Sequence, residues 1–208
     1  MAAALLSGVE QAALAMLVVV ALVLALFFAG YEASRPGLRQ IMPTLVLAAL
    51  AAAGRILFGP IPDFKPVSAI AIIAGATLGR RNGFMVGALA ALTSNFFFGQ
   101  GMWTPWQMFA MGLLGFFAGI IFSKKRNTLA LCIYSFLSVI VIYGGIMNIS
   151  SVLTYTTDIN LQTITAYIVS GIPFDLIHAV STVIFVLITG DALLKKCCRL
   201  RVKFGLFQ

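Results

Sequence analysis

The chain has 208 residues, of which 61% are hydrophobic and only 10% charged, with a formal net charge of +8. A soluble domain carries roughly 25% charged residues, so composition excludes a soluble fold, and the mean hydropathy of +1.05 agrees. The excess of positive charge fits the cytoplasmic flanks of membrane helices better than a nucleic-acid surface, so no nucleic-acid partner is expected.

A membrane-spanning helix needs about 20 mostly apolar residues. In chain order such runs lie at 11–29, 40–58, 66–79, 83–99, 107–122, 128–150 and 164–190. None alternates like the strands of a barrel, and the predicted fold is an all-α integral membrane protein. The first run follows Met1-Ala-Ala-Ala-Leu-Leu and Glu10, with no Lys or Arg before it. Its apolar core is longer than the roughly 7–15 residues of a signal peptide. It reads as a retained helix with its N-terminus outside, placed ahead of a six-helix unit. The third run is short and starts at Pro66, a residue suited to a first helical turn. The expected organisation is an extra N-terminal helix and cytoplasmic linker at 1–37, a six-helix core at 38–192 and a basic cytoplasmic tail at 193–208. Cys197-Cys198 lie among Lys195, Lys196, Arg199 and Arg201, in the reducing cytoplasm, and no structural disulfide is expected.

Charge sets the orientation. Lys124-Lys125-Arg126 and the C-terminal tail belong on the cytoplasmic side by the positive-inside rule. Alternation then puts Arg80-Arg81 and the loop with Arg35 and Arg39 inside. It puts the loop 99–106 and the loop Thr156–Asn160, with Asp158, outside. The 55–65 connection falls outside despite Arg55 and Lys65. That breach of the bias marks both cations as functional candidates, beside the plain alternative that they sit in water.

Close helix packing in lipid uses small residues at a spacing of four. Gly75/Gly79, Gly83/Gly87 and Gly115/Gly119 have it, as do Ala48/Ala52 and Ala49/Ala53 in the second run. Packing within the chain explains the glycine pairs. The alanine stripe is the best candidate for contact with another protein.

Enzymatic signatures are missing. There is no Gly-x-x-x-x-Gly-Lys-[Ser/Thr] phosphate loop, no His-Glu-x-x-His, no Cys-x-x-Cys and no Gly-x-Ser-x-Gly. ATP hydrolysis by that route, a zinc site and an enzyme activity are therefore not expected, nor is a cofactor of the protein's own. The single histidine, His178, follows Asp175 by three, so both share a helix face inside the last run. Ionisable groups at such depth are functional candidates by default, against the alternative of a pair that locks two helices. Asp63 and Lys65, in Ile61-Pro-Asp-Phe-Lys-Pro66, stand near the outer face.

The most unusual segment is Asn95-Phe-Phe-Phe-Gly-Gln-Gly-Met-Trp-Thr-Pro-Trp-Gln-Met108. It carries no charge, yet gathers Asn95, Gln100, Gln107, Trp103 and Trp106. Interfacial tryptophans alone would be membrane anchors. The amides need another reason. Aromatic walls with a few directional polar groups describe a small-molecule pocket. Asn95 and Gln107 are expected at helix ends, facing a shared cavity. A capture site without an energy-transducing motif implies energy supplied by another protein.

Gly54-Arg-Ile-Leu-Phe-Gly-Pro-Ile-Pro-Asp-Phe-Lys-Pro66, Ser94-Asn-Phe-Phe-Phe-Gly-Gln-Gly-Met-Trp-Thr-Pro-Trp-Gln107 and Gly171-Ile-Pro-Phe-Asp-Leu-Ile-His178 resemble the substrate-binding (S) component of energy-coupling factor transporters. The resemblance covers about residues 38–192, and the helix 11–29 departs from the usual six. It implies a vitamin bound near the outer face, a lid formed by residues 59–66, and assembly with a transmembrane coupling protein and two cytoplasmic ATPases. The alanine motif would carry that assembly, here Ala48, Ala49, Ala52 and Ala53. Delivery by toppling in a bacterial cell membrane is also implied. The Trp-Thr-Pro-Trp-Gln variety is similar to cobalamin or corrinoid-precursor components, and riboflavin or a queuosine precursor fits nearly as well. A membrane enzyme using Asp175 and His178, and a non-transporting interaction protein, are the readings of other classes.

Overall fold

A computed structural model describes residues 8–123, 127–156 and 159–203. Lys124-Lys125-Arg126 and Asp158, both used to orient the chain, lie outside the described residues. The described residues are helical, joined by short connections. In order they form α1 (Gly8–Ala33), α2 (Leu38–Leu57), α3 (Val67–Leu78), α4 (Arg80–Phe98), α5 (Trp103–Ile121), α6 (Thr128–Ser138), a π-helical segment (Val139–Gly144), α7 (Gly145–Tyr155) and α8 (Leu161–Lys203). Five stretches are long and apolar enough to cross a membrane, namely Ala13–Ala33, Leu38–Leu57, Trp103–Ile121, Thr128–Tyr155 and Leu161–Leu200.

α3 sits in the middle. All of its 12 residues are buried, and at 1.5 Å per residue it is only about 18 Å long, too short for a hydrocarbon core of about 30 Å. It packs against α2, α4, α5 and α8. Because α3 starts deep, the connection 58–66 is drawn into the end of the bundle. Pro66 lies against Gly54, where a side chain would collide with its ring. Phe58 and Phe64 hold this connection down by packing on Phe185 of α8, with centroids 5.1 and 5.2 Å away.

The glycines work inside the chain. A Cβ on Gly75, Gly83 or Gly115 would strike backbone of the neighbouring helix, and one on Gly119 would strike Arg80. α3, α4 and α5 thus meet backbone to backbone, the use expected of small residues. Gly79 is the exception. Its φ of 90° makes the turn between α3 and α4, and nothing packs on it. The alanine stripe splits by face. Ala48 and Ala52 are buried inside the chain, whereas Ala49 and Ala53 are exposed. The first pair therefore does not present itself to a partner as expected.

Several boundaries differ from those expected. α5 begins at Trp103 rather than 107, so the loop expected at 99–106 shrinks to 99–102. Thr104 explains the early start, because its hydroxyl accepts from the Gly101 amide at 3.2 Å and donates to Gln100 Oε1 at 2.9 Å. α4 takes in Arg80 and Arg81. α8 runs unbroken for 43 residues, so the boundary drawn at 192 falls within a helix.

Candidate functional site

α2 delivers Arg55 to the place where 58–66 dips in. Arg55 is in the last turn of α2 and only 6% exposed. The alternative that it sits in water is overturned. Its Nη1 donates to Ser94 Oγ at 2.5 Å and Asn95 Oδ1 at 2.7 Å, and its Nη2 donates to Gln107 Oε1 at 3.3 Å. Asn95 donates in turn to Gln107 Oε1 at 2.9 Å and Thr104 Oγ1 at 3.2 Å. These amide orientations follow from the network itself. Helix packing positions the whole set, since α4 and α5 share the most extensive interface in the bundle.

Asn95 and Gln107 thus stand at helix ends as expected, but they hold an arginine instead of facing an open cavity. Gln100 turns to the Leu92 carbonyl at 3.2 Å and to Thr104, securing the short loop. Trp106 is buried in the core, and Trp103 is 40% exposed and stacks on Gly101. The two tryptophans thus differ in burial.

Lys65 and Asp63 join Arg55 from the connection. The Lys65 amide donates to Ser181 Oγ of α8 at 2.9 Å, which anchors the loop's end. Lys65 Nζ lies 5.4 Å and the Arg55 guanidinium carbon 5.1 Å from the Phe98 ring centroid, so both cations lie against one aromatic ring. Asp63 adopts a φ of 52°, a left-handed conformation that Asp tolerates better than most residues. It lies within electrostatic reach of both cations. Burial raises the Asp63 carboxyl above the usual range, against the opposing pull of Lys65 and Arg55. Burial first, then Arg55, lowers the Lys65 ammonium.

Asp175 and His178 share a face but take different partners. Asp175 accepts from Asn148 Nδ2 at 3.0 Å and lies against Gly144, where a Cβ would strike its carboxylate. His178 Nε2 is 2.8 Å from Ser68 Oγ, and its ring meets Tyr143 edge-on at 4.6 Å. Ser68 and His178 have the spacing of a nucleophile and its base. Ser68 is nevertheless completely buried, and Asp175 bonds Asn148. This pair ties α3 to α8 beneath the cationic cluster.

Sequence reasoning placed Arg55 in a loop, yet an arginine inside an apolar run was a usable signal. Ser94, Thr104, Phe98 and Asn148 had none. A separate cavity of about 340 Å³ at the Arg80–Arg81 end is lined by Tyr31, Gln40 and Asn82 among others. Asn82 there accepts from Tyr31 and Thr44 and donates to the Leu78 carbonyl. No group of three His, Cys, Asp or Glu among the described residues could hold a metal.

The model of a family described as a family of unknown function, DUF6580, matches residues 35–197. No curated protein and no solved structure matches the chain.

Proposed function

The chain belongs to the DUF6580 family, and we propose that it is the substrate-capturing subunit of a vitamin uptake transporter in a bacterial cell membrane. Its site is the cluster around Arg55, at the outer face, with the 58–66 connection as lid. A transmembrane coupling protein and two ATPases supply the energy, and toppling in the membrane delivers the solute inward. The C-terminus lies in the cytoplasm. Cobalamin or a corrinoid precursor is the first substrate to test, followed by riboflavin and a queuosine precursor.

One observation carries this reading. A buried arginine is set by neutral side chains of two further helices, under a phenylalanine-bearing connection, in a chain with the composition of a membrane protein. Such groups within a membrane mark solute paths. The likeness of residues 54–66, 94–107 and 171–178 to S components supports it. Protein purified from cells supplied with the vitamin should carry one equivalent of small molecule by mass spectrometry, and a corrinoid would colour it. Absence of any bound molecule, with no saturable binding of corrinoids, flavins or deazapurines, would overturn the proposal.

The Ser68–His178 contact favours one other reading, a membrane enzyme working through His178 and Asp175. In that case His178→Ala would abolish turnover and leave ligand binding intact.

A further inference from the structure

We infer that the solute carries an anionic group, a carboxylate or phosphate, which binds Arg55 and Lys65 beside Phe98 and takes over the role of Asp63. The inference rests on the reading of this cluster as the solute site.

A guanidinium has five N–H donors in a fixed fork. In Arg55, Nη1 is engaged by Ser94 and Asn95, while Nη2 has a single long bond to Gln107. Nε finds no acceptor among the described residues, although Arg55 is 6% exposed. The Nε–Nη2 edge is the side of the fork that takes two oxygens of one carboxylate or phosphate. Every acceptor that Arg55 has is neutral, and no carboxylate is in ion-pair contact with it among the described residues. A buried charge held this way is costly unless an opposite charge completes it.

The second cation strengthens the case. Lys65 is brought to the same Phe98 ring as Arg55, and its backbone is held by Ser181. Two like charges so placed repel each other, and only Asp63 acts on both from the opposite sign. Asp63 sits on the connection, not on a helix, and its contact with both cations is electrostatic, not a hydrogen bond. It counters both cations electrostatically. A neutral solute would leave the open edge of Arg55 unmet, and a cationic one would be repelled. Corrinoids bearing a phosphodiester or free carboxylates meet the requirement, whereas riboflavin does not.

The test uses the full chain in detergent and matched pairs of probes that differ in the anionic group: cobinamide phosphate with cobinamide, flavin mononucleotide with riboflavin, nicotinate with nicotinamide. In any pair that binds, the anionic member should bind about tenfold to hundredfold more tightly, the range of a charge-assisted contact. Arg55→Gln should erase that preference, Lys65→Gln should reduce it, and Asp63→Asn should increase it. Because Arg55 is a structural hub, Lys65→Gln and Asp63→Asn decide the matter if Arg55→Gln does not fold. Equal binding of neutral and anionic members overturns the anion inference and leaves the capture function standing. An anion preference that Lys65→Gln and Asp63→Asn do not move overturns this placement of it. No binding by any member overturns the capture function, and the inference with it.

Discussion

Asn95 makes the arginine site possible, because it accepts from Arg55 and donates to both Gln107 and Thr104. Asn95→Ala leaves those partners unmet in a buried place, at about 1–3 kcal/mol for each group so stranded. The expected result is a clearly lower unfolding midpoint in detergent. Asn95→Asp acts differently. It gives Arg55 the carboxylate it lacks but, being acceptor-only, gives up the donations to Gln107 and Thr104 unless those two turn their own donors to it. The unfolding midpoint should therefore drop less than in Asn95→Ala, while an anionic solute finds its counter-charge already neutralised. A thermal melt paired with a binding isotherm separates the two outcomes, and unchanged anion affinity in Asn95→Asp would refute the role given to Arg55. Asp63 adds a pH dependence. Its carboxyl is raised by burial, so between the ordinary carboxylate pKa and the raised value the folded chain binds more protons than the unfolded one. Stability from this group is greatest below that window and falls as pH rises through it. Lys65 is lowered, and its share of stability rises with pH between its folded value and the ordinary one. The groups facing Asp63 are Arg55, Lys65, Tyr143 and Asp175, with His178 beyond Lys65. Moving from neutral to mildly acidic pH should therefore tighten binding of a probe that stays anionic, such as flavin mononucleotide. Asp63→Asn should flatten that slope, and a slope unchanged in the variant would assign it to another group.

One helical stretch departs from regular α geometry and another carries a proline, each close to a polar side chain. The π-helical segment Val139–Gly144 leads directly into α7 and Asn148, and α8 contains Pro173 two residues before Asp175. Proline removes a backbone donor and frees the carbonyl one turn earlier, and π-turns recur at functional sites. Gly144 lets the Asp175 carboxylate rest against backbone. Gly144→Ala should displace Asp175 and cost about 1–3 kcal/mol by overpacking, read as a drop in unfolding midpoint. Gly115→Ala should cost more, because its Cβ would meet the Gly83 backbone and not a side chain that can turn away. The apolar runs located these helices, because length and hydropathy are local properties, but α8 continues well past residue 190 into the basic tail. The glycine spacing likewise marked residues that pack within the chain, without saying against which helix. The depth of α3 was not legible, and with it went the position of Arg55. A run of 12 residues says that it is short, but only its neighbours decide that every side is buried. The contacts of Asp175 with Asn148 and of His178 with Ser68 join residues 27 and 110 positions apart, and no spacing rule reaches that far.

At the scale of the molecule, the proposed capture role requires an outer surface on which a partner can dock. The alanines of α2 divide the problem. Ala48 and Ala52 face the chain's own core, whereas Ala49 and Ala53 face outward in line with exposed Leu45, Val46, Leu50 and Leu57. A small residue on an outer face admits a neighbouring helix closely, and a charge there is costly in lipid or against an apolar partner. Ala49→Glu and Ala53→Glu should therefore leave the fold and solute binding intact and block co-purification with a coupling protein. Ala52→Glu should instead lower the yield of folded protein, because its carboxylate would enter the core. Monodisperse elution, solute binding and recovery of the complex, measured on the same three variants, distinguish these effects. If Ala49→Glu still brings down the full complex, the partner surface lies on another face. If Ala52→Glu folds normally and loses only the complex, α2 must rotate on assembly and present its inner pair, because a face buried in the isolated chain can reach a coupling protein only by such a movement.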